Sequence, residues 1–119
     1  MTDTATVTSD DQRIWQIQAH QTLGELLKSA DTAELPPLTW CVATNRILVG
    51  TTSSSAPAVV QRAAIADWAA HLGAARHPEY EPIAGLTRSV RATATLGTDH
   101  PVEVRLIADL RLDGNGNED

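Results

Sequence analysis

The segments RSVRATATL (88–96) and VEVRLIADLR (102–111) alternate apolar and polar residues, and the short connection GTDHP separates them. A period of two belongs to a strand with one buried face and one wet face. Two such runs joined by a turn-forming loop predict an antiparallel hairpin. If Leu96 pairs with Val102, the even-numbered side chains share one face: Val90, Ala92, Ala94 and Leu96 with Val102, Val104, Leu106, Ala108 and Leu110. The odd face sets Thr93 beside Arg105, Thr95 beside Glu103 and Ser89 beside Asp109. So apolar an even face has to be covered, and the rest of the chain must supply the cover.

Two helices are predicted to do so. In TLGELLKSA, Thr22 and Glu25 have capping-box spacing, and Leu23, Leu26, Leu27 and Ala30 make an apolar stripe. Upstream, RIWQIQAHQ reads two ways. Trp15, Ile17 and Ala19 alternate as in a strand, whereas a long helix capped by Ser9 and Gln12 would align Trp15, Ala19, Leu23 and Leu26. No Gly or Pro interrupts the run before Gly24, which favours helix for 12–20. LPP at 35–37 stops it. The second helix spans 57–72, with Ser55 as N-cap, Pro57 in the first turn and Gly73 as a left-handed C-cap. Ile65, Trp68, Ala69 and Leu72 form its buried side.

Between the helices, LTWCVATNRILVG predicts a second hairpin, turning at Thr44-Asn45. A two-residue turn pairs Val42 with Ile47, Cys41 with Leu48 and Trp40 with Val49. Leu38, Trp40, Val42, Ile47 and Val49 then face the core, with Cys41 and Leu48 on the reverse. AARHPEYEPIAGL (74–86), with two prolines and a glycine, reads as a loop. The expected fold is α+β, in the order α-β-β-α-β-β: a four-stranded, mainly antiparallel sheet with two helices packed on one face. It forms a single domain over 12–112, between a flexible acidic tail (1–11) and a disordered acidic end (113–119).

Charge narrows the function. The chain of 119 residues carries a formal net charge of −6. Asp3, Asp10, Asp11, Asp113, Glu118 and Asp119 stand in the two tails, so the body is formally neutral. Without a clustered positive surface, nucleic-acid binding is disfavoured. No apolar run is long enough for a membrane span, and the polar N-terminus is unlike a signal peptide. With one cysteine and therefore no internal disulfide, a cytoplasmic protein is the expectation.

Few residues point to chemistry. Cys41 lies within a strand with no cation or helix N-terminus beside it in sequence to activate the thiol, so it reads as structural. His71, His77, Glu79 and Glu81 fall within eleven residues but match no metal-site spacing. TTSSS lacks the nucleophile-elbow pattern, and no glycine-rich phosphate loop occurs. No catalytic, cofactor-binding or metal-binding residue is assigned. Two surfaces remain. Cys41, Leu48, Arg91, Arg105 and Ile107 would make an interaction surface on the outer sheet face, for a protein partner or a second copy. Alternatively, Arg76, His77, Glu79, Tyr80 and Glu81 would serve a small-ligand binder or enzyme built on the 74–86 loop. The former, a non-enzymatic accessory module, is the preferred reading.

LPPLTW, LVG and AAIADWAAHLGA resemble segments of a group of small uncharacterised single-domain proteins of high-GC bacteria and their mobile elements, over roughly residues 22–110. The recurring positions are Leu35, Pro36, Trp40, Gly50, Trp68 and Leu72. These are turn and core positions, so the resemblance implies a shared fold and no particular activity.

Overall fold

The computed structural model describes residues 6–113, 117 and 118. Its first element, α1 (Ser9–Thr32), is one continuous helix, so the helical reading of RIWQIQAHQ holds. The capping box lies one residue before the expected one. The Thr8 hydroxyl accepts from the Asp11 amide, and the Asp11 carboxylate accepts from the Thr8 amide, each at 3.1 Å. Asp10 and Asp11 also suit the positive end of the helix dipole. Residues 9–11 are therefore helical rather than tail, while residues 1–5 lie outside the described residues. Thr22 and Glu25 fall in mid-helix. Ala19, Leu23, Leu26 and Ala30 form the buried stripe, but Leu27 is exposed. At the C-terminus Glu34 adopts a φ of 56°, and the Leu35 amide reaches the Ala30 carbonyl at 3.0 Å before the prolines turn the chain.

The hairpin of β1 (Thr39–Val42) and β2 (Ile47–Thr51) forms in a different register. Val42 faces Leu48, Cys41 faces Val49 and Trp40 faces Gly50. The Ala43 amide bonds to the Ile47 carbonyl, so the turn holds three residues, Thr44–Arg46, rather than two. Arg46 takes the left-handed position (φ 59°) that closes such a turn. Its guanidinium is occupied, donating to Gln18 at 2.9 Å and lying over the Trp15 ring. One extra turn residue reverses every side chain of β2. Leu48, expected on the outer face, is fully buried, and Ile47 and Val49 point outward instead.

Gly50 follows from this register. A Cβ there would stand 2.8 Å from the Trp40 ring and 3.1 Å from Leu38. That ring cannot swing away freely, because it packs against the core and meets Trp68 edge-on at 5.4 Å. Gly50→Ala is expected to cost about 1–3 kcal/mol through overpacking, read from urea unfolding. An unchanged midpoint would mean that Trp40 is not wedged against β2.

The sheet has six strands and is mixed, which corrects the expected four-stranded antiparallel layer. The added strands come from the supposed loop 74–86. β3 (Ala75–Arg76) and β4 (Tyr80–Ile83) both pair antiparallel with β5 (Thr87–Leu96). Together they act as one interrupted edge strand, and an edge tolerates Pro78 and Pro82 because one side of its backbone needs no ladder bonds. β6 (Val102–Arg111) pairs antiparallel with β5 and parallel with β2, giving the order β1-β2-β6-β5-β3, with β4 also on β5. The β5–β6 register matches the sequence expectation, with Leu96 opposite Val102 and Thr93 opposite Arg105.

α2 (Ala58–Leu72) ends on Gly73 at φ 64°, as expected. Its start differs: Pro57 is the N-cap, and the Ser55 hydroxyl pairs with Ser53 instead. Buried Gln61 braces the entry loop, donating to the Ala56 carbonyl and accepting from the Thr52 hydroxyl. Buried residues of α1 and α2 share one core with the even face of β5 and β6 and with Leu48. A 2.7 Å bond between Ser29 and His71 ties the helices together. No helix among the described residues is long and apolar enough to cross a membrane.

The C-terminal segment also departs from expectation. Glu118 pairs with Arg62 and Arg88, and the Asp113 amide donates to the Asn117 carbonyl at 2.8 Å. Two cations draw that carboxylate back onto the body. The remainder of the supposed disordered end, 114–116 and 119, lies outside the described residues.

Candidate functional site

With both helices on the even face, the odd face of the sheet is left without a helical cover. The strand registers arrange its side chains in rows. Cys41, Val49, Arg105, Thr93 and Ala75 make one row. Thr39, Thr51, Ile107 and Arg91 make the next, and the His77 amide continues it by bonding to the Arg91 carbonyl. Asp109, Ser89 and Tyr80 follow. The β1–β2 side is apolar, with an exposed thiol at Cys41 and half-buried Ile47 and Val49. The β5–β6 side is charged.

Of the expected interaction surface, Cys41, Arg91, Arg105 and Ile107 are on this face. Leu48 is not, for the turn-length reason above. Ile47 and Val49 replace it. The signal that could have found them is Trp40 opposite Gly50, a bulky ring matched to the one residue that leaves room for it.

The ligand-loop residues divide. His77 and Tyr80 join Arg91, Thr93, Arg105 and Ile107 around a shallow pocket of about 400 Å³ on the outer face. Glu79 instead pairs with Arg62. Glu81 accepts from the Gly85 amide and lies 3.9 Å from Arg88. Arg76 is on the edge strand, outside the pocket lining. Within the pocket the polar groups already hold one another. Arg91 donates to Ser89 at 2.8 Å and lies 5.5 Å from the Tyr80 ring centre. His77 and Thr93 are 2.7 Å apart, and Arg105 pairs with Glu103 along its own strand. Ser89 is thereby fully buried although it sits on the outer face.

The pocket's imidazole is bonded to a threonine hydroxyl, and the exposed Cys41 lies at the opposite edge of the same face, on β1. His71, the other histidine near the end of α2, is engaged by Ser29 in the helix layer. Among the described residues no group of three His, Cys, Asp or Glu side chains could hold a metal ion. No family model, no curated protein and no solved structure matches the chain.

Proposed function

We propose that the protein is a non-enzymatic interaction module whose helix-free sheet face docks a protein partner. One observation carries the reading: Cys41, Ile47 and Val49 form an apolar strip on β1 and β2 directly beside Glu103 and Arg105, and Ile107 stands among Thr51, Arg91, Arg105 and Asp109. An apolar area bordered by charged and polar side chains is the usual make-up of a specific interface. A single exposed thiol fits a reducing compartment, so the setting we propose is cytoplasmic.

Site-directed photo-crosslinking in the native cell tests this. A benzoylphenylalanine replacing Val49 or Thr93 is expected to give discrete protein adducts. The same probe at Lys28 or Asp67, on the helix layer, is expected to give none. Adducts from the helix layer alone, or from neither surface, would overturn the proposal.

A further inference from the structure

The outer row of β6 reads Glu103, Arg105, Ile107, Asp109, Arg111. About Ile107 this row is antisymmetric in charge. Positions two residues either side carry Arg105 and Asp109, and positions four either side carry Glu103 and Arg111. From this geometry we infer that the partner is a second copy of the chain, packed face to face about a two-fold axis at Ile107. The inference rests on the docking role of this face proposed above.

A two-fold axis lying between the sheets and perpendicular to β6 runs the two β6 strands antiparallel. Ile107 then meets its own copy. Arg105 of each chain stands over Asp109 of the other, and Glu103 over Arg111. Packed sheets lie roughly 10 Å apart, a gap that an arginine opposite an aspartate can span. Asp109 and Arg111 are exposed and make no ion pair among the described residues, Arg111 standing at the strand end beside the loop that enters α2. An isologous interface requires a patch complementary to itself, which this row is.

The axis also relates Arg91 to its own copy, since Arg91 is level with Ile107. That contact would be repulsive if both side chains stood upright. They do not: each guanidinium is drawn toward Ser89 and Tyr80, one row away from the axis. The two-fold carries them in opposite directions, roughly 13 Å apart at about 3.3 Å per residue. The apolar Thr51 methyl and Ile107 fill the axis instead.

The test is sedimentation velocity on the full chain, with circular dichroism confirming that each variant is folded. The native protein is expected to dimerise. Asp109→Arg places like charges over one another twice per dimer and is expected to weaken dimerisation by at least about tenfold. Reversing the whole row (Glu103→Arg, Arg105→Glu, Asp109→Arg, Arg111→Glu) is expected to restore self-association to within about threefold of native, because every cross-pair is inverted together. The reversed and native chains are expected not to mix, since their rows repel. A native monomer at all concentrations, free mixing of the two forms, or an unaffected Asp109→Arg dimer would each overturn the pairing. Sheet-face crosslinks to a different protein, alongside a monomeric chain, would overturn it while leaving the docking role intact.

Discussion

Trp68→Ala is expected to lower the free energy of unfolding by about 3–5 kcal/mol, the largest loss of any single truncation in this core. Trp68 is almost wholly buried and is the largest of the fully buried side chains. Its indole N–H donates to the Pro36 carbonyl at 2.7 Å, fastening α2 to the proline turn that ends α1. Its ring meets Trp40 edge-on, which ties the same helix to β1. Truncation removes the ring, opens a cavity where three elements meet and strips a carbonyl of its donor. Domains of this size have only about 5–15 kcal/mol of total stability, so the variant would sit near the edge of folding. Trp68→Phe separates the contributions: it keeps an aromatic ring and loses the hydrogen bond, for a smaller cost of about 1–3 kcal/mol. Urea unfolding followed by far-UV circular dichroism measures both. A loss under about 1 kcal/mol for Trp68→Ala would mean the indole is not the anchor its contacts imply.

The elements that sequence revealed are those with local, redundant signals. The β5–β6 hairpin combines uninterrupted alternation with a short connection, and its observed register follows residue by residue. α2 ends on Gly73, where glycine alone adopts the left-handed conformation without strain. The missed elements depended on distant partners. β4 carries Pro82, Pro78 separates it from the two-residue β3, and both are strands only because β5 extends far enough to pair with them. The parallel pairing of β2 with β6 has no local trace at all.

The candidate surface divides in the same way. Arg91, Arg105 and Ile107 could be placed because the alternation of β5 and β6 is unambiguous. His77 and Tyr80 were legible as polar groups but not as neighbours of Arg91, since that proximity comes from the edge strand. Ile47 and Val49 were hidden for a more basic reason. Ile47, Leu48 and Val49 are all apolar, so hydrophobicity selects neither face of β2. The choice falls to the turn, whose third residue is an arginine in a conformation usually taken by glycine.

That ambiguity yields the sharpest contrast between adjacent positions in the chain. Leu48→Asp is expected to unfold the protein, while Val49→Asp leaves it folded. Leu48 is fully buried between Val42 and Val104, which flank it in the sheet. A carboxylate there has no cation beside it in its row and must either lose its hydration or take up a proton; the cost, together with the lost packing, exceeds about 4 kcal/mol. Val49 points outward between Cys41 and Arg105. An aspartate at 49 remains wet and gains a neighbouring guanidinium, so only the weaker strand propensity counts against it, at about 1 kcal/mol or less. A two-residue turn at Thr44-Asn45 would exchange the two outcomes, because it would bury Val49 and expose Leu48. Thermal melts of the two variants thus read the length of the turn directly: dispersed amide spectra and a cooperative melt for Val49→Asp, with neither for Leu48→Asp, require Arg46 to lie inside the turn.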